Sequence, residues 1–187
     1  MSLFNSKIRK LDSRDTEDAI NLYARTCRYT EYFQKLFNVQ DCEQKIKEEF
    51  SEDVIAAINL GFCYGIFENN EMIGCLFAID WYKYLEQEPD LFERMFNAEL
   101  QSTQNIINLA SQSSSCIFIF AIGIADGKRC QGYATKLIKY FMKQVSKDAV
   151  VLTDCIYEYA MSLWLGRGFS IVEIGEDKFA ISGDLNV

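Results

Sequence analysis

Histidine is absent from the 187 residues, proline occurs once (Pro89), and 19 Lys and Arg are outnumbered by 27 Asp and Glu. Without imidazole there is no Ser-His-Asp or Cys-His nucleophile, no HExxH zinc helix and no histidine general base. Catalysis must then run on carboxylates, Tyr, Lys, thiolate, backbone amides or a cosubstrate. The net charge of −8 repels nucleic acid and anionic lipid, so neither is an expected partner, and it serves solubility first. The seven Cys (27, 42, 63, 75, 116, 130 and 155) form no CxxC pair, are odd in number, and lie partly in apolar runs. That points to reduced, buried thiols of a cytoplasmic protein, with neither a disulfide scaffold nor a metal site. Met1–Lys10 lacks the apolar stretch of a signal peptide, and the longest strongly apolar run, Cys116–Ala125, is ten residues, half of the roughly 20 that a bilayer span needs.

What is present is an ordinary globular composition, 49% apolar and 25% charged, at a length suited to one domain. Lys7–Leu11 reads as a strand, and Asp12, Ser13 and Asp15 supply cap chemistry for a helix carrying Ala19, Ile20, Leu22, Tyr23 and Cys27 at helical spacing. Residues 28–39 are aromatic-rich. A second helix over about 41–60 sets Ile46, Phe50, Val54, Ile55 and Ile58 on one side, with Gly61 at its end. Phe62–Phe67 and Met72–Asp80 read as a hairpin joined by Glu68-Asn69-Asn70-Glu71, because Asn tolerates the positive φ of a tight turn. Residues 81–115 form a helical insertion, with Pro89 in a first turn and Leu91, Phe92, Met95, Phe96 and Leu100 continuing a helical pattern to about Leu109. Ile117–Ile124 is apolar on both faces and reads as a central strand. A helix from about Gly132 to Lys147, a strand Ala149–Asp154, a helix Tyr157–Gly166 and a terminal hairpin, Ser170–Ile174 with Lys178–Gly183, complete an α/β order over a single domain.

The most informative stretch is Ile122-Gly-Ile-Ala-Asp-Gly-Lys-Arg-Cys-Gln-Gly-Tyr-Ala134, a buried strand running through a glycine-containing turn into a helix start. Such a turn offers unpaired N–H groups and a helix dipole to an anion, and Gly132 and Ala134 keep bulk away. Residues 127–147 hold six bases and no acid, leaving 13 bases against 27 acids elsewhere, a basic island that suits a phosphate-rich ligand. Lys136, Lys139, Lys143 and Lys147 read as a solvated helical stripe, while Lys128 and Arg129 lie in the turn. The Walker Gly-x4-Gly-Lys-Ser/Thr pattern and the dinucleotide Gly-x-Gly-x-x-Gly pattern are both absent.

Arg129-Cys130-Gln131-Gly132-Tyr133-Ala134 resembles the acyl-CoA signature of the GNAT superfamily of N-acetyltransferases, Gln/Arg-x-x-Gly-x-Gly/Ala. The element order over about residues 6–183 and the Gly168-Phe169 step resemble that superfamily too. The resemblance implies a central mixed, mostly antiparallel sheet of six to seven strands flanked by helices. It implies acetyl-CoA (coenzyme A) as cosubstrate and no metal. The amides of Arg129, Cys130, Gln131, Gly132, Tyr133 and Ala134 would hold the pyrophosphate, Ile122 to Ile124 would pair with the pantetheine arm, and the Ile124 amide would polarise the thioester carbonyl. The strand ending near Asp154 would splay away to admit the cofactor. Acetyl transfer would go directly to a primary amine of a small molecule or peptide.

The chain departs from the family pattern at the position where many members carry a Tyr that protonates the leaving thiolate. That position is Trp164, whose indole donates a hydrogen bond but is no acid at neutral pH. Tyr157, seven residues earlier and on the same helix face, becomes the candidate acid, and Trp164 a cofactor neighbour. Asp154 is the candidate base, with Asp80, Glu158, Glu31 or a bridging water as alternatives. The aromatic and acidic run Asp80–Glu88 fits three roles: one wall of an acceptor site, a homodimer contact, or a packed helix. Two other readings stand beside the enzyme: a non-catalytic acyl-CoA-binding or regulatory module on the same fold, and an unrelated α+β binding domain.

Overall fold

The computed structural model describes residues 6–95, 101–155 and 158–182. Their strands are β1 (Lys7–Lys10), β2 (Tyr64–Glu68), β3 (Glu71–Asp80), β4 (Cys116–Ile124), β5 (Val150–Asp154), β6 (Ser170–Ile174) and β7 (Asp177–Ser182). They order as β1-β2-β3-β4-β5-β7-β6 in one sheet. β1/β2, β2/β3, β5/β7 and β6/β7 pair antiparallel, and β4/β5 pair in parallel. The helices are α1 (Thr16–Cys27), α2 (Glu31–Phe37), α3 (Glu43–Leu60), α4 (Trp81–Gln87), α5 (Pro89–Met95), α6 (Gln101–Ser111), α7 (Tyr133–Met142) and α8 (Glu158–Leu165). Residues group into two compact units, Met1–Phe77 with Ala121–Gln144, and Ala78–Phe120 with Val145–Val187. Among the described residues no helix is long and apolar enough to cross a membrane. Among the described residues the cysteines form no disulfide, and five of them are buried.

In the first unit, Asp12 accepts from the Arg14 N–H and Asp15 accepts from the Asp12 N–H, each at 3.0 Å, closing the start of a 3₁₀ turn that runs into α1. Arg9 locks this corner by a bidentate pair with Asp15 at 2.5 and 2.6 Å and by lying over the Phe67 ring. α1 buries Ala19, Leu22, Tyr23 and Ala24. α3 buries Ile46, Val54 and Ile58, but Ile55 is 41% exposed, against the sequence expectation. Residue 55 lies a 100° step from Val54, and the buried arc continues through Ala57 and Ile58 instead. The β2/β3 hairpin turns at Asn69 and Asn70, both left-handed (φ 50° and 66°), the primed turn that matches strand twist. α7 turns Tyr133, Leu137, Ile138 and Phe141 inward, and Phe141 meets Phe62 and Tyr64 edge-on. It ends at Met142, so Lys147 lies beyond the helix rather than on its stripe.

In the second unit, residues Trp81–Gln87 of the Asp80–Glu88 run form α4. Asp80 caps α4 by accepting from the Lys83 N–H, Trp81 and Tyr84 are buried, and Trp81 packs edge-on against Phe92 and Phe118. Pro89 opens α5 as expected. The expected single pattern to Leu109 divides into α5 and α6, with Phe96–Leu100 outside the described residues. α6 contributes buried Asn105, which donates to Asp177 of β7 at 2.9 Å. Helices α4, α5 and α6 thus lie between the third and fourth strands, where the insertion over residues 81–115 is expected.

Candidate functional site

The first unit contains the turn from β4 into α7. Ala125 donates its N–H to the Ile73 carbonyl of β3 at 2.9 Å. Successive peptide groups of a strand face opposite edges, so the Ile124 and Ile122 N–H groups face the edge away from β3. A 3₁₀ turn, Asp126–Lys128, follows. Cys130 (φ 59°) and Gly132 (φ 82°) then adopt left-handed conformations before α7 begins at Tyr133. Alternation of right- and left-handed residues curls successive N–H groups into a concavity that binds anions. Among the described residues, no acceptor meets the N–H groups of Cys130, Gln131, Gly132, Tyr133 and Ala134. A side chain at Gly132 would meet nothing within 4 Å, so that face is open; the left-handed φ is what selects glycine there. Gln131 steadies the loop by donating from Nε2 to the Gly127 carbonyl at 3.0 Å.

The side chains of Lys128 and Arg129, expected from sequence to meet phosphate, are engaged within the protein. Lys128 Nζ lies 2.5 Å from Glu68 Oε2, and the Tyr133 hydroxyl donates to Glu68 Oε1. Glu68 is only 5% exposed. Lys128 and Tyr133 hold its carboxyl below the usual range, and Glu68 in turn raises both partners. Arg129 folds back, donating from Nε to the Ile124 carbonyl (3.2 Å) and from Nη2 to the Thr26 carbonyl (3.3 Å), and pairs with Asp126 at 3.0 Å. Asp126 also faces Arg28 at 3.8 Å. The one carboxylate in the turn is thereby paired with arginines, and the unmet donors of the cradle are amides. The Arg129 N–H, expected among the phosphate-binding amides, donates to the Asp126 carbonyl at 3.5 Å, so the unmet amides begin at Cys130. Close approach supports β4: a Cβ at Gly74 would fall 2.6 Å from Ile124 Cδ1, and one at Gly123 would fall 2.7 Å from Thr26 Oγ1.

The second unit holds the remaining candidates. The β4/β5 pairing covers Cys116–Phe118 against Val150–Leu152, while Thr153 and Asp154 pair with Ala180 and Phe179 of β7. Burial pushes the Asp154 carboxyl up to about 6, and the Asp177 charge adds to the rise. Cys155 beside it is raised to about 11 by burial and by Asp154. Tyr157 lies outside the described residues, as does the Glu158 side chain. Of the other carboxylates weighed as bases, Asp80 is a helix cap and Glu31 pairs with Lys35 at 2.7 Å on the surface.

Trp164 is 2% exposed and packs on Phe169 with ring centroids 4.9 Å apart. The local bonds explain this contact. Phe169 N–H reaches the Trp164 carbonyl, Gly168 N–H reaches the Leu165 carbonyl, and Gly168 is left-handed (φ 83°). This is a Schellman helix end, whose flanking apolar contact is the Trp164–Phe169 pair.

Sequence reasoning missed Glu68, which was assigned to the hairpin turn. Its only sequence signal is a charged residue closing an otherwise apolar strand.

No protein-family model matches this chain, and no curated protein matches it by sequence. Solved structures do match. The PaiA N-acetyltransferase of Thermoplasma acidophilum, in complex with coenzyme A, superposes with a TM-score of 0.61 at 14% identity over 98% of this chain and 100% of that one. The polyamine N-acetyltransferase of Drosophila melanogaster gives 0.62 at 13% identity over 95% and 97%. Arylalkylamine N-acetyltransferase 2 of Aedes aegypti gives 0.65 at 13% identity over 95% and 97%. Near-complete mutual coverage at these TM-scores shows that the chain has the GNAT fold.

Proposed function

We propose that the protein is an acyl-CoA-dependent N-acyltransferase, moving an acetyl group from acetyl-CoA to a primary amine. The observation that carries this reading is the cradle of unmet amides at 130–134, open at Gly132, on the turn from β4 to α7. That donor set suits a diphosphate, because amides and a helix N-terminus bind anions without needing a cation. Acetyl-CoA would supply the activated acyl carbon and the leaving thiolate. The Ile122 and Ile124 amides would bind and orient the arm, and the Ile124 N–H would polarise the carbonyl. As the C–N bond forms and the C–S bond breaks, Asp154 would take the amine proton and Tyr157 would return one to the thiolate. A carboxyl raised to about 6 is suited to a base near neutrality. Polyamines and arylalkylamines are the first acceptors to try, since the matched enzymes bear those names. Thiols outside any disulfide suit a reducing, cytoplasmic setting.

A second reading, a non-catalytic acyl-CoA-binding module, is favoured by one observation: the family's tyrosine position holds Trp164, consumed in a helix end. Thioester loss from acetyl-CoA across polyamines, arylalkylamines, amino sugars, amino acids and peptides tests the choice. Turnover with any amine supports the enzyme. CoA-dependent thermal stabilisation with a flat rate over the whole panel supports the module, and no stabilisation by CoA overturns both.

A further inference from the structure

We infer that Glu68 is a positioning residue of the cradle: a buried carboxylate at the end of β2 that fixes the turn and the first residue of α7, so that the amides stand ready before a ligand arrives. This rests on the CoA-binding reading above. The two carboxylate oxygens are used separately, Oε2 by Lys128 and Oε1 by the Tyr133 hydroxyl. These partners flank the stretch that contains left-handed Cys130 and Gly132, so the segment most costly to order is tied down on both sides. The base of the clamp is itself rigid, because Glu68 precedes directly the two-residue Asn69-Asn70 turn and pairs with Glu71 across it. A buried carboxylate persists only with its partners in place, so geometry at Glu68 and geometry in the turn constrain each other. The Lys128 charge is balanced within the protein, which leaves amide placement as the quantity that Glu68 controls.

The test uses the full chain with Glu68→Gln, which keeps the side-chain shape, and Tyr133→Phe, which removes one hydroxyl. Calorimetric titration with CoA is paired with steady-state rates against acetyl-CoA and the best amine. Glu68→Gln is expected to weaken CoA binding, and to raise the acetyl-CoA KM, by about tenfold, with Tyr133→Phe about threefold in the same direction. kcat and the amine KM should stay within about twofold of wild type, a split that a general loss of folding would not produce. Wild-type CoA affinity in both variants overturns the positioning role alone. So does a proportional fall in kcat and both KM terms tracking a lowered Tm. A wild-type protein that does not bind CoA overturns the proposed function and this inference together. If no amine is turned over, the titration alone decides.

Discussion

The turn of residues 125–134 and the segment around Asp154 and Trp164 solve different problems with different materials. The turn is made of backbone, and its basic side chains bond within the protein as fasteners: Lys128 to Glu68, Arg129 to the Thr26 and Ile124 carbonyls. The Asp154 region depends on a side chain whose protonation is set by burial, beside a helix whose end is fixed by an aromatic contact. Binding built from amides tolerates many side chains but few backbone changes. The proton transfer proposed for Asp154 would have the reverse sensitivity.

The strongest way to break this contrast is Trp164→Ala. Removing a buried indole should cost about 4 kcal/mol, seen as a large fall in Tm, with CoA affinity of the remaining folded protein unchanged. Loss of affinity at full stability would instead make Trp164 a ligand contact. Gly132→Val comes next. A β-branched residue at φ 82° is strained and blocks approach to the amides, so CoA binding should weaken by about a hundredfold, or about 2.7 kcal/mol. An unchanged Kd would remove the cradle from the binding site.

Asp154→Asn probes the other region. A base must be ionised, so the wild-type rate should rise as pH increases through about 6. The Asn variant should lose that limb and about a hundredfold in kcat, with its acetyl-CoA KM unchanged. Stability carries the opposite sign. The folded carboxyl is raised above its unfolded value of 3.8, so its stabilising effect is complete below about pH 4 and is lost as pH climbs through about 6. Denaturant titration across that window should show the slope in wild type and not in the Asn variant.

Gly123→Ala brings a Cβ to 2.7 Å from Thr26 Oγ1 and should cost about 1–2 kcal/mol; adding Thr26→Ala should recover part of it. Lys147→Ala is the smallest perturbation. Lying beyond α7, it should change stability by no more than about 0.5 kcal/mol, and calorimetry should detect no change in CoA affinity.

Elements with a strong local signal were legible before any fold was known. The Asn69-Asn70 hairpin, the capped 3₁₀ turn before α1, Pro89 opening α5 and the 3.6-residue stripe of α7 each depend on residues within one or two turns of one another. The motif glycine was legible for the same reason, since its left-handed φ is a local property. The side-chain roles were not. Lys128 and Arg129 look like phosphate ligands in a list of charges, and only the approach of Glu68, 60 residues distant, and of the α1 carbonyl at Thr26 gives them partners within the protein. Trp164 stands at the family's tyrosine position by sequence, and its pairing with Phe169 at the helix end shows only in the fold. Local chemistry and the period of the apolar residues thus determined the elements and the backbone turn of this protein. Tertiary structure decided which charges face ligand and which are spent on the fold, because that choice depends on partners brought close only after the sheet has formed.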